Sequence, residues 1–116
     1  MRERRSPTRH EISWDQDNIR VERPAAKGER DSVSFSWDSI LAVEAFKRDT
    51  FTVDCICLAL ETPTGWIEIN EEMNGCGGFL GALESSIPGF PRRDKWWHEV
   101  AFPAFEENHM RLWTRP

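Results

Sequence analysis

The sequence predicts an α+β domain in which an antiparallel sheet is laid down first and helices follow. Apolar and polar residues alternate with a period of two from His10 to Asn70, in runs separated by Pro, Gly, Asp and Asn. From Asn74 the apolar residues recur instead at helical spacing. A chain of 116 residues holds one core, because single domains commonly run to roughly 100–150 residues. Strands grouped ahead of helices describe a segregated α+β domain rather than a βαβ sheet.

Met1 to Arg9 is rich in Arg and lacks periodicity, so residues 1–9 are read as a flexible basic tail and 10–116 as the single domain. His10 to Arg23 places Ile12, Trp14, Ile19 and Val21 around the turn-like Asp15-Gln16-Asp17-Asn18, the pattern of a β-hairpin. After a polar loop with Pro24 and Gly28, Ser32 to Trp37 puts Val33, Phe35 and Trp37 on one face of a half-buried strand. Ser39 to Lys47 reads as a further extended segment, with Val43, Ala45 and Lys47 alternating against Ala42, Glu44 and Phe46.

A turn at Arg48-Asp49-Thr50 leads to Phe51–Glu61, the most apolar stretch. Ile56, Leu58 and Leu60 share one face and Val53, Cys55, Cys57 and Ala59 the other, so this strand is expected at the centre of the sheet. Thr62-Pro63-Thr64-Gly65 then turns the chain into Trp66–Asn70, making a second hairpin.

Phe79, Leu80, Leu83 and Ile87 form a helical stripe, with Asn74 as the expected cap and Pro88-Gly89 as the stop. Glycines 75, 77, 78 and 81 each weaken that helix by up to about 1 kcal/mol relative to Ala. Packing must therefore hold it. Pro91–Phe105 holds a second short helix, capped near Asp94, with Trp97, Val100 and Ala101 as its buried stripe and Pro103 as its breaker. Met110–Trp113 returns as an edge strand.

Composition narrows the function. Hydrophobic residues at 39% beside 30% charged, with six Trp and seven Phe, are those of a globular chain. The formal charge is −5, unevenly laid out: residues 1–30 carry +2, while every charged residue from Asp49 to Pro91 is acidic. Nucleic acids and anionic membranes both demand clustered Lys and Arg, so neither is expected as a partner. No apolar run reaches the roughly 20 residues that span a bilayer, and no apolar core follows the basic start, so neither insertion nor export is expected. Three cysteines cannot all pair with one another, which fits a reducing cytoplasm.

A resemblance is carried by Trp37-Asp38-Ser39-Ile40, Phe51-Thr52-Val53-Asp54, Gly65-Trp66-Ile67, the Leu80 and Leu83 helix closing at Pro88-Gly89-Phe90, and Trp97, Asn108 and Trp113-Thr114-Arg115. On these residues the chain resembles small bacterial proteins of uncharacterised function with a pleckstrin-homology-like domain, over roughly residues 10–115. The resemblance implies a strongly bent antiparallel sheet or open barrel of six to seven strands, closed at one end by the 74–87 helix. It implies no catalytic residue and no cofactor. Phosphoinositide-binding members present Lys and Arg from the loop joining their first strands. Here Pro24–Asp31 offers only Lys27 and Arg30 beside Glu29 and Asp31, which argues against such a ligand.

Candidate chemistry follows from residue types. Cys57 with His98 or His109 and Asp54 could supply nucleophile, base and orienting group, but no nucleophile elbow or cysteine-protease signature surrounds them. Cys55, Cys57 and Cys76 lack the spacing of a structural zinc site, so no metal is expected. Glu71-Glu72, near Glu68, reads as a solvated acidic edge. The candidate binding residues are Arg92, Arg93, Lys95, Trp96 and Trp97. Consecutive indoles on a helix point about 100° apart, so one of them is expected at the surface beside basic side chains, the composition of a protein-interface hot spot. The leading expectation is a non-enzymatic interaction module with a protein partner or a second copy. The alternatives are a small hydrolase or metal-dependent enzyme, and an immunity-type inhibitor.

Overall fold

The structure is a computed structural model that describes residues 10–24, 30–49, 54–102 and 108–116. The expected tail at 1–9, most of the Pro24–Asp31 loop, Phe51–Val53 and Pro103 lie outside the described residues. Seven strands and two helices follow in the order β1 (Glu11–Trp14), β2 (Asn18–Pro24), β3 (Arg30–Ser36), β4 (Ala42–Asp49), β5 (Asp54–Thr62), β6 (Gly65–Asn70), α1 (Cys76–Ser86), α2 (Arg93–Ala101) and β7 (Asn108–Thr114). The class is α+β, as the alternation and its change of period predict. The strands fall into two antiparallel sheets, β1-β2-β3 and β6-β5-β4-β7, where the sequence suggests one bent sheet. Among the described residues an isolated parallel bridge ties Glu11 of β1 to Asn74, in the turn that follows β6.

Both hairpins form as read. Ile12 and Val33 face Val21 from the two neighbouring strands, which sets three β-branched side chains on one rung of the first sheet. The turn between β1 and β2 is fixed by Asp15, whose Oδ1 accepts the backbone N–H groups of Asp17 at 2.8 Å and Asn18 at 2.7 Å. Those two donors favour the charged form and hold the Asp15 carboxyl below its usual range. In the second sheet Val43, Ala45 and Lys47 lie opposite Leu60, Leu58 and Ile56, and all six are buried. β5 is interior and covered on both faces, as its unbroken apolar run predicts.

Trp37 leaves the β3 face on which alternation places it. Residues Trp37–Ser39 form a 3-10 turn that carries the chain from the first sheet into the second. Tertiary contacts override the local pattern here. The Trp37 indole donates to the Asp15 carbonyl at 2.9 Å, and its ring stacks on Phe79 at 5.6 Å. Trp14 meets the same Phe79 edge-on at 5.6 Å. Phe79, with Cys76, Leu80 and Leu83, thus plugs α1 into the space between the sheets.

Asn74 does not cap α1. Its backbone is committed to β1, accepting from Ile12 N–H at 2.9 Å and donating to the His10 carbonyl at 3.0 Å. The N-cap position falls to Gly75 at φ 92°, where an added Cβ would lie 2.4 Å from the Ile12 carbonyl oxygen. Only glycine lets helix and β1 approach this closely. The C-terminal residues act as a strap: Arg115 donates to the Ile40 carbonyl at 2.9 Å and stacks on Trp113, whose indole donates to Pro88 at 3.2 Å. No helix of the described residues is long and apolar enough to cross a membrane.

Candidate functional site

The five candidate binding residues cluster at the start of α2, and the structure divides them. Trp96 is 3% exposed and faces the core with Val100, whereas Trp97 is half-buried and Arg92, Arg93 and Lys95 are exposed. Trp96 is therefore a packing residue and not part of the surface. The buried stripe expected from Trp97, Val100 and Ala101 is corrected to Trp96 and Val100, four residues apart on one helical face. Among the described residues the buried Trp96 indole N–H meets no hydrogen-bond partner. The two indoles sit 5.5 Å apart and tilted, so the inner ring braces the outer one.

Asp94 does not supply the cap either. The Glu84 carboxylate of α1 reaches across and accepts the Arg93 backbone N–H at 2.9 Å, which leaves Asp94 to pair with Arg92 at 3.7 Å between two exposed side chains. At the other end Lys47, 2% exposed, sends its Nζ from the inner face of β4 to the Ala101 carbonyl at 3.0 Å. An ammonium at a helix C-terminus satisfies a carbonyl and meets the negative end of the helix dipole.

With both ends held, the outer face of α2 is presented in fixed register. Arg93 and Trp97 are four apart, and the guanidinium lies 5.2 Å from the indole centroid. An Nη of Arg93 also reaches the Gly77 carbonyl at 3.4 Å, too long to tie down the fork. One turn along, His98 and Phe102 repeat the arrangement with rings 4.8 Å apart, and Phe102 is 57% exposed. Between the two helices lies an open cleft of about 470 Å³ lined by Glu84, Arg92, Arg93, Asp94, Trp97 and His98. Lys95 is exposed on the same helix but does not line the cleft. An Arg stacked on an indole keeps its donor edge available for a planar carboxylate. The i, i+4 spacing of Arg93 and Trp97 was the signal for this pair; no local pattern announces Glu84.

The residues that could have served catalysis stay apart. On the outer face of the second sheet Phe46 stands opposite both Cys57 on β5 and His109 on β7. Strands are spaced about 4.8 Å apart, so thiol and imidazole are on the order of 10 Å from each other with an aromatic ring between them. His109 is held instead by Glu44 Oε1 at 2.5 Å, and Arg111 reaches Glu44 Oε2 at 2.6 Å. Burial pushes the Glu44 carboxyl up, but the hydrogen bonds and charges of His109 and Arg111 outweigh it and keep the group below its usual range. His98 is on the exposed face of α2, against Phe102. Burial raises the Cys55 thiol and lifts Cys76 to about 11, helped by the charge of Glu71. Glu71 itself closes the sheet end, its carboxylate accepting the Ile56 N–H at 2.9 Å. Among the described residues no three His, Cys, Asp or Glu side chains are grouped to hold a metal ion.

Comparison of the chain with protein-family models, with curated proteins and with solved structures finds no match. What can be said of its function rests on its own geometry.

Proposed function

We propose that the chain is a non-enzymatic interaction module, built on a pleckstrin-homology-like scaffold, that engages an acidic protein surface through the outer face of α2. The observation that carries this reading is the Arg93–Trp97 stack at the mouth of an open cleft, flanked by exposed Arg92 and Lys95. A braced indole and a guanidinium with its edge exposed are the residue types that dominate interface energetics. The separation of Cys57 from His109 and the raised thiols support a binding role over hydrolysis. That Cys55, Cys57 and Cys76 form no disulfide supports a cytoplasmic setting. Seven antiparallel strands with the helices after the sixth support the scaffold.

The test is a titration of the isotope-labelled chain with oligo-glutamate, alongside native mass spectrometry of the chain drawn from its own cells at low salt. Shifts are expected at Arg93, Trp97 and His98, lost at high salt and in Arg93→Glu, with a stoichiometric protein partner or a homodimer released by the same variant. Binding that survives both Arg93→Glu and Trp97→Ala would overturn the reading. So would a bare monomer, or salt-sensitive binding to anionic vesicles in place of the peptide.

A further inference from the structure

A second concave site lies away from α2. β1 is bridged to the turn after β6 at Glu11–Asn74, and between β6 and the inner face of β2 and β3 lies a cleft of about 530 Å³. Sites for small organic molecules are usually roughly 300–1,000 Å³, with an apolar lining and few polar groups. The lining is mixed: His10, Thr64 and Asn70 give it polar edges, and an apolar floor is made by Val21 and Val33, which face each other across β2 and β3, Ile67 of β6, and Met73 from the turn before α1. Trp66 stands at the mouth and is 52% exposed, a large aromatic left half in water.

Charge at the rim decides what the cleft would hold. Arg23, two residues beyond Val21 on the same strand face, lines the cleft and makes no ion pair among the described residues. Its cross-strand neighbour Asp31 does not pair with it and does not line the space. On the facing wall Glu68 is engaged in an interaction of its own. A ligand carrying several negative charges would meet Glu68, and a cation would meet Arg23. A single carboxylate on an apolar body satisfies the guanidinium and covers the floor.

We infer that the cleft between the two sheets binds a small monocarboxylate, with Arg23 taking the carboxylate, Val21, Val33, Ile67 and Met73 taking the apolar body, and Trp66 folding over it. The site is separate from the α2 surface. Its chemistry is recognition only, with no bond made or broken.

The test titrates the full isotope-labelled chain with octanoate and, in parallel, with the neutral isostere octanamide. Octanoate is expected to bind at least ~10-fold more tightly, since a hydrogen bond to a charged group is worth about 1.5–3 kcal/mol, and to move the amide signals of Val21, Val33 and Ile67 and the Trp66 indole signal. In Arg23→Gln the two ligands become equal. Val33→Trp fills the floor and abolishes both. Should that variant fail to fold, Trp66→Ala, at an exposed position, is expected to weaken both ligands at least threefold. Equal affinity for acid and amide in the unaltered chain overturns the assignment. So do shifts confined to α2, or no shift at millimolar ligand.

Discussion

The two helices follow one another in the chain, are nearly equal in length, and do opposite work. α1 buries Cys76, Phe79, Leu80 and Leu83, while its glycines 77 and 81 sit at open positions and Gly78 lies close against the Trp14 ring. α2 buries only Trp96 and Val100 and gives Arg93, Lys95, Trp97 and His98 to the surface. Intrinsic propensity favours α2, because three glycines in eleven residues disfavour a helix that packing did not hold. The contrast teaches that α1 is helical because the core needs a plug. α2, tied at its N-terminus by Glu84 and at its C-terminus by Lys47, is a platform.

The largest effect that would break this contrast is Phe79→Ala. Phe79 is fully buried between Trp14 and Trp37, and truncating such a ring costs about 3–5 kcal/mol. Chemical denaturation should show that loss with α1 amides exchanging early. A loss below about 1 kcal/mol would mean that α1 merely lies against the sheets.

Next in size is the tie beneath α2. Lys47→Met removes the donor from a part-buried carbonyl, and an acceptor stranded in this way costs up to about 1–3 kcal/mol. Hydrogen exchange at Val100, Ala101 and Phe102 should accelerate while α1 keeps its protection. Equal loosening of both helices would show that Lys47 supports the whole core.

Most of the sheet could be read from the chain because strand alternation has one solution per run: a one-residue slip would turn Val43, Ala45 and Lys47 outward together. The alternation even set Lys47 inward, although nothing local says what a buried ammonium would meet there; that partner lies 54 residues away at Ala101. The helix faces were less legible. Trp96 with Val100 and Trp97 with Ala101 are equally good i, i+4 stripes, and only the position of the sheet selects the first. Asn74 carries the chemistry of a cap, yet its backbone is taken by β1, so Gly75 fills that position through shape alone. The candidate site was legible to the same degree. Arg92 and Arg93 are exposed as a basic cluster at a helix start should be, but the sequence reads Trp97 into the buried stripe that Trp96 fills, and Glu84 and the inter-sheet cleft come from segments that meet only in three dimensions.

A smaller effect separates the helices by pH. A helix N-terminus ordinarily favours a thiolate, yet Cys76, the first residue of α1, is held as a neutral thiol because burial dominates. Its folded pKa, about 11, lies above the unfolded value of about 8.5. The unfolded chain then releases its proton first, so stability is intact below about pH 8.5 and falls as pH rises toward 11. The slope should stay below about 1.4 kcal/mol per pH unit, and Cys76→Ala should flatten it. Iodoacetamide at pH 8 should leave native Cys76 unmodified; fast, selective alkylation would instead point to a reactive thiol and revive the enzymatic alternative.

The smallest expected change in stability is the one that matters most for function. Trp97→Ala removes a half-buried ring that touches Arg93 and Trp96 and packs only against the edge of the core. An exposed cation–π contact is worth about 0.5–1 kcal/mol and the partly buried ring adds a fraction of what a core ring costs, so the loss should stay within about 1.5 kcal/mol, well below that of Phe79→Ala, and the unfolding cooperativity should not change. Oligo-glutamate binding should nevertheless fall at least tenfold, because the indole holds the guanidinium in register for a carboxylate. A residue kept for packing behaves the other way round, as Phe79 should: it lowers stability severely and leaves whatever binds to the folded fraction unaltered. If Trp97→Ala lowers stability by as much as Phe79→Ala while binding is untouched, α2 is a second plug and its surface has no partner.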